Sequence, residues 1–221
     1  MGAESVTVCF TGNPNCGKTT LFNAYTGAGK KTANWPGVTV ALSEGSLMHR
    51  GRLVHLVDTP GIYSLDPYTM EETVTRQCIR DQKADVIIHV ADALLLERSL
   101  FLTMQLLAEG KPLVLALNMM DLVRERGMDI DIGRLSRLLG GIPVIPVSAR
   151  RRTGLEELMD AAVEAARARR MADGSGRFVS GARYSVYRSH SAHSDGPAYG
   201  DGPSGSGGSW HGPVSARELH D

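Results

Sequence analysis

Two seven-residue stretches, "DVIIHVA" (85–91) and "PLVLALN" (112–118), are almost unbroken apolar runs. A strand with one face in water alternates apolar and polar side chains. A continuous run therefore needs cover on both faces, which a mainly parallel sheet flanked by helices supplies. The longer segments "ADVIIHVADALLL" and "PLVLALNMM" are interrupted by His89, Asp92 and Asn118 and fall short of the roughly 20 residues a membrane span needs. Further β-rich segments at 5–11, 38–48, 52–57 and 142–147 alternate with stretches of helical period near 17–26, 69–82, 95–109, 131–139 and 154–170. The segments at 38–48 and 52–57 flank "HRGR", a short glycine-containing turn, and read as an antiparallel hairpin at one edge. The expected fold class is α/β: a six-stranded, mostly parallel sheet with one antiparallel edge strand and about five flanking helices.

From about Met171 to Asp221 the chain is dominated by Gly, Ser, Pro and His. Such a segment buries too little apolar surface to offset its chain entropy. The expected organisation is thus one domain over 1–170 and a disordered tail over 171–221. Formal net charge is zero, so there is no global pull toward nucleic acid or an anionic membrane. Cys9, Cys16 and Cys78 lack metal-ligand spacing and suit a reduced, cytoplasmic protein. The opening "MGAESVTVCF" has no basic region followed by a long apolar core, so no secretory signal is expected.

Between the first strand and first helix lies "GNPNCGKT", Gly12 to Thr19, which fits the phosphate-loop pattern G-x-x-x-x-G-K-[ST]. Glycines let the backbone wrap an anion with its N–H groups pointing inward, and the helix N-terminus adds partial positive charge. Gly12, Asn13, Pro14, Asn15, Cys16, Gly17, Lys18, Thr19 and Thr20 would line the nucleotide, with Lys18 on the β- and γ-phosphates and the Thr19 hydroxyl on Mg²⁺. The competing reading is a glycine-rich turn with an incidental lysine. "LVHLVDTPG" ends a strand with Asp58, suited to hold Mg²⁺ through water, and places Gly61 where its N–H can meet the γ-phosphate. "LVLALNMMD" ends another with Asn118, Met119 and Asp121, a spacing in which a carboxylate pairs with the N–H groups of guanine. "PVIPVSAR" ends the next with Ser148, Ala149 and Arg150, where the Ala149 N–H can meet guanine O6. Each motif is weak alone. Four in this order, all at carboxyl ends of strands where open α/β sheets bind ligands, point to GTP and GDP.

With "GNPNCGKTTLFN", "ANWPGVTV" (33–40), "DTPGIYSLDPYTMEE" (58–72) and "NMMD" in hand, residues 4–170 resemble the N-terminal G domain of the FeoB family of bacterial ferrous-iron transport proteins, within the translation-factor-class GTPases. The resemblance implies a P-loop GTPase fold and a cytoplasmic GTP-hydrolysing domain at the inner face of the cell membrane. It further implies a partner transmembrane iron-transport region, in cis or trans, that the domain regulates or drives, and no nucleic-acid partner. After Arg170 neither the family's helical domain nor a membrane span is recognisable. The resemblance makes Thr39 the switch threonine that closes on Mg²⁺ and γ-phosphate, and "GAGKKTANWPG" (27–37) the first switch. It makes Asn15 the ligand of a K⁺ that neutralises charge between the phosphates, so Asn15, Lys18, Thr39 and Gly61 are the expected catalytic set, with Thr19, Thr39 and Asp58 for Mg²⁺. The alternative for Asn15 is a turn-forming residue. Trp35 either packs the first switch or presents its carbonyl to an ion.

Ile62 stands where many small GTPases carry a water-orienting glutamine. Met119 replaces the usual lysine of the guanine motif, and a lost charge-assisted hydrogen bond costs roughly 1.5–3 kcal/mol, so nucleotide should exchange readily. His49, His55 and His89 read as structural histidines. Cys16 reads as a small residue tolerated beside an anion, against a redox-sensitive thiol. The tail histidines His190, His193, His211 and His220 read as solvated low-complexity sequence, and "RARR" (167–170) as a helix C-terminus. Two other functional readings stay open: a GTP-dependent switch with negligible hydrolysis of its own, and a ribosome- or RNA-associated GTPase.

Overall fold

The computed structural model describes residues 5–27, 31–34, 41–80 and 84–174. In chain order the elements are β1 (Val6–Gly12), α1 (Lys18–Thr26), β2 (Lys31–Asn34), β3 (Ala41–His49), β4 (Arg52–Asp58), α2 (Met70–Arg80), β5 (Val86–Asp92), α3 (Leu96–Ala108), β6 (Leu113–Asn118), α4 (Met120–Glu125), α5 (Ile132–Leu138), β7 (Val144–Pro146) and α6 (Leu155–Gly174). The strands form one sheet in the order β2-β3-β4-β1-β5-β6-β7. The five from β4 to β7 are parallel, while β3 runs antiparallel to both its neighbours.

The expected α/β class holds, and the sheet gains a seventh strand. β2 is the four residues "KTAN", too short and polar to show a period; pairing with β3, Lys31 opposite Glu44 through Asn34 opposite Ala41, makes it a strand. α4 is likewise an addition, a six-residue helix with too few turns to show a 3.6-residue repeat. The hairpin stands as read. His49 pairs with Arg52 across a two-residue loop in which Arg50 and Gly51 both have positive φ (47° and 74°), the geometry whose twist matches antiparallel strands.

Both apolar runs are covered on both faces. Phe10, Ile88 and Val114 pack against Leu21 and Phe22 of α1 and Leu158 and Met159 of α6. On the opposite face Ile87, Leu115 and Leu117 pack against Ile79 of α2, Leu102 and Leu106 of α3 and Leu135 of α5. Burying such a side chain contributes about 1.5–3 kcal/mol each. That is why these strands carry almost no polar residue until their carboxyl ends.

α6 continues to Gly174, past the expected boundary at 170. Arg170 donates to Ser5 O (3.0 Å) and pairs with Asp85 (2.8 Å), and Arg169 donates to Gly110 O (2.8 Å). Two members of the "RARR" cluster thus tie the helix end to the amino ends of the strands. Beyond Gly174 the expected tail, with its histidines, lies outside the described residues. Among the described residues no helix is long and apolar enough to cross a membrane.

Candidate functional site

Because β1, β4, β5, β6 and β7 are parallel, their carboxyl ends, and with them Gly12, Asp58, Asn118 and the loop at 148–150, arrive at one edge of the sheet. β1 ends in a turn that enters α1 through Gly17, whose φ of 84° places it in the left-handed region. A Cβ on Gly17 would lie 2.3 Å from Asn118 Nδ2, and one on Gly12 would lie 2.4 Å from Val90 O. Both glycines of the motif are thus required by close approach. Asn15 also has positive φ (66°), which asparagine tolerates better than most residues, and its side chain is exposed. It therefore has the geometry of a turn former and the exposure of a ligand-facing group.

Lys18 and Asp58, each with 7 % of the side chain exposed, form an ion pair, and the Thr19 hydroxyl donates to the other oxygen of Asp58 at 3.1 Å. Lys18, Thr19 and Asp58 are thereby brought together from β4 and the start of α1. Oxygen donors of this kind, a hydroxyl and a carboxylate side by side, suit Mg²⁺. Gly61 lies against the loop: a Cβ there would meet Pro14 Cα at 3.1 Å. The next residue, Ile62, donates its N–H to Gly12 O (3.0 Å) and buries its side chain in the α2/α3 core, which explains an apolar residue at that position. Thr39, Trp35 and most of the first switch lie outside the described residues.

At the other end Asn118, 3 % exposed, donates through Nδ2 to Cys16 O (2.9 Å) and accepts the Ala149 N–H on Oδ1 (3.0 Å). One side chain thus ties the phosphate loop to the 148–150 loop. The Ala149 N–H, expected from the sequence to be able to meet guanine O6, is donated in this structure to Asn118. Met119 has positive φ (66°) at the start of α4, and its methyl carbon lies 4.0 Å from the Cβ position of Gly17, over the loop. Burial pushes the Asp121 carboxyl up, but the Ser148 hydroxyl, nearby backbone N–H groups and Arg151 outweigh it and leave the pKa below the ordinary aspartate value. Arg151 Nε stands 3.4 Å from Asp121, and the same guanidinium pairs with Glu125. Ser148 is bridged to Thr153 by two backbone hydrogen bonds of 3.1 Å, and Arg150 is exposed.

The remaining candidates fall to either side of the site. Asn13 is 6 % exposed and turns its Nδ2 toward Arg98 O of α3 (3.4 Å), so its side chain faces the core. Cys16 is 2 % exposed, and burial pushes its thiol up to about 11, which fits a small packing residue. His49 bonds Asp160 (2.7 Å), His55 meets Ser46 (3.4 Å), and fully buried His89 meets Thr103 (3.0 Å) with its pKa pushed down to about 3. All three are structural. Asp92, which caps the turn after β5 by accepting the Leu94 N–H (2.8 Å), stands out in the sequence only as a break in an apolar run, and Arg151 not at all, because neither belongs to a spaced motif. Among the described residues no group of three or more His, Cys, Asp or Glu is placed to hold a metal.

A phosphate loop between β1 and α1, a strand-end aspartate beside it and an Asn-x-x-Asp strand end on this sheet order define a P-loop GTPase G domain. A family model described as Ferrous iron transport protein B matches residues 6–162, and the chain belongs to that family. The Fe(2+) transporter FeoB of Legionella pneumophila (strain Paris) is 47% identical over 151 residues, which is 66% of this chain and 20% of that protein. The chain thus spans about a fifth of the length of the curated relatives it matches. The cytosolic domain of the L. pneumophila FeoB has a TM-score of 0.69 at 44% identity, covering 72% of this chain and 63% of that one. The cytosolic domain of the T. maritima FeoB iron transporter, solved in a GDP form, has a TM-score of 0.72 at 41% identity, covering 75% and 65%.

Proposed function

We propose that this chain binds GTP and GDP with Mg²⁺ and hydrolyses GTP, stimulated by K⁺, at the inner face of a bacterial membrane, regulating or driving ferrous-iron uptake by an associated transmembrane region. The observation that carries the reading is the meeting of Lys18, Thr19 and Asp58 with the Asn118, Asp121 and Ser148 constellation on one sheet edge. Relatives solved with GDP support the choice of guanine.

In this reading the loop amides from Asn13 to Thr20 and the amino end of α1 cradle the phosphates. Lys18 would turn from Asp58 to the β- and γ-phosphates, and Asp58, Thr19 and Thr39 would hold the metal. When bound, Mg²⁺ would supply neutralisation of the phosphate charge. The Gly61 N–H would meet the γ-phosphate, and Asn15 would hold a K⁺ whose charge would take the part an arginine finger plays elsewhere. Asp121 reads guanine, Met119 covers it, and Ser148, Ala149 and Arg150 close the base side. The working domain runs through α6, with residues beyond it dispensable for nucleotide binding. Phosphate release measured in K⁺ and in Na⁺ tests the mechanism: several-fold faster hydrolysis in K⁺ is expected, and Asn15→Ala should abolish the difference while retaining GTP binding. Equal rates in the two salts for the parent chain overturn it.

Burial of Ile62 in the core favours a second reading, a GTP-dependent switch whose hydrolysis awaits a partner's catalytic group. Phosphate release that is negligible in both salts, with tight GTP binding, would select it. Engagement of Arg169 and Arg170 within the domain leaves the RNA-associated reading with the least support.

A further inference from the structure

Cys9 and Cys78 lie 69 residues apart in sequence and 3.7 Å apart at their sulfurs. Cys9 is in the middle of β1, three residues before Gly12 of the phosphate loop, and pairs with Val57 of β4 and Ile87 of β5. Cys78 is near the end of α2, the helix that follows the Asp58–Gly61 loop. Buried cysteines often serve as small apolar residues. Here each sulfur is the neighbour of the other, on separate elements that flank the nucleotide machinery. A disulfide requires about 2.05 Å between sulfurs, within reach of side-chain rotation and a small shift of α2.

We propose that Cys9 and Cys78 form a reversible intramolecular disulfide that clamps α2 to the strand carrying the phosphate loop. The oxidant is a low-molecular-weight disulfide such as glutathione disulfide. Cys78 attacks one of its sulfurs, forming a mixed disulfide and expelling one thiol. Cys9 then attacks Cys78 Sγ, expelling the second thiol; the two protein protons end on the two released thiols, so two protein thiols and one disulfide become one protein disulfide and two thiols. Exposure is 0 % at Cys9 and 2 % at Cys78, and the hydrogen bond from Cys78 and burial hold the Cys9 thiol well above its ordinary value. Both steps therefore wait on local opening of α2, the first for access to Cys78 and the second for a Cys9 thiolate. The closeness of the two sulfurs in the fold directs the second step to Cys78. The device registers sustained oxidation, not brief pulses. Once closed, it holds α2 against β1. Gly61, which packs against Pro14, and Ile62, which is bonded to Gly12, precede that helix, so the clamp restrains the segment that must respond to a γ-phosphate.

The covalent step stands independently of the proposed function, and only its effect on hydrolysis rests on that reading. The full chain is incubated with glutathione disulfide, alkylated and digested with trypsin. Met1–Lys18 should appear joined to Gln77–Arg80; because the first peptide carries both Cys9 and Cys16, fragment ions must place the bond at Cys9. Amide exchange in α2 should slow at least threefold in the oxidised chain. GTP hydrolysis should fall several-fold with GDP affinity within about twofold, and dithiothreitol should reverse all three. Cys78→Ala should keep the reduced activity and lose the response. Glutathione adducts without the link, a bond to Cys16, or unchanged α2 exchange in a linked chain each overturn the proposal. Absence of hydrolysis in both states, with the link and slowed exchange present, removes the proposed function and leaves the clamp.

Discussion

At the base end of the site, Asn118 makes one hydrogen bond through each end of its amide, to Cys16 O and from the Ala149 N–H, and Asp121 is held by Ser148 and Arg151. At the phosphate end, Lys18 and Thr19 both direct their donors at a single carboxylate, Asp58. The first arrangement is a set of protein groups already matched to one another, with Asn118 buried and the Asp121 carboxylate facing Arg151, so its shape depends little on a ligand. The second is a set of charges neutralising one another, and a metal and a phosphate offer the same charges better partners. On the proposed reading, one end recognises a ligand and the other is rearranged by it.

If the base end is prebuilt, its specificity should be changed by a single exchange of hydrogen-bonding character. Asp121→Asn should shift preference from GTP to xanthosine triphosphate by about 10³-fold or more, since mismatched buried polar groups discriminate strongly. Competition binding with the two nucleotides measures it, and retained GTP preference would dissolve the distinction between the two ends.

Asn118→Ala leaves Cys16 O and the Ala149 N–H without their partner. Stability should fall by about 2–4 kcal/mol, read as a lower melting temperature even without nucleotide. Asp58→Asn at the other end keeps one of the two acceptor oxygens that Lys18 and Thr19 use, and with both donors at the open sheet edge free to turn to water it should move the melting point less. Its effect should appear in binding: the gain in GTP affinity on adding Mg²⁺ should shrink by about tenfold, or about 1.4 kcal/mol. A larger stability loss for Asp58→Asn than for Asn118→Ala would reverse the assignment of rigid and exchangeable ends.

The smallest effect concerns the strand between the two ends. His89 on β5 is neutral in the fold, with its pKa pushed by burial from 6.5 to about 3. Above pH 6.5 it is uncharged in both the folded and unfolded chain and adds no pH dependence. As pH falls below 6.5 the unfolded chain takes up a proton that the folded one refuses, so stability drops by up to about 1.4 kcal/mol per pH unit. His89→Leu should flatten urea-midpoint curves between pH 6.5 and 4.5; an unchanged slope would place the acid sensitivity at one of the ends instead.

Much of the site was legible because its residues answer local demands. The phosphate loop needs glycine where the backbone turns left-handed or approaches another chain segment, as Gly17 approaches Asn118, and a lysine at the head of a helix. The strand ends at Asp58, Asn118 and Ser148 stand out because apolar runs stop there. Cys16 reads as a small residue beside the anion from its place in the loop, and His89 as structural from its place in an apolar strand; both side chains are buried.

The sequence by itself determined the α/β order, the doubly covered strands and the positions of the four motifs, since steric limits on φ, the two-residue strand period and continuous apolar runs act between near neighbours and leave a local record. Tertiary structure decided that "KTAN" is a strand, that Asn118 joins two loops, that Arg151 stands beside Asp121, and that Cys9 and Cys78 touch. Each of these depends on partners brought together from distant parts of the chain, up to 102 residues apart for Asn118 and Cys16. No spacing rule encodes such contacts, because they exist only once the sheet has assembled and brought its strand ends together.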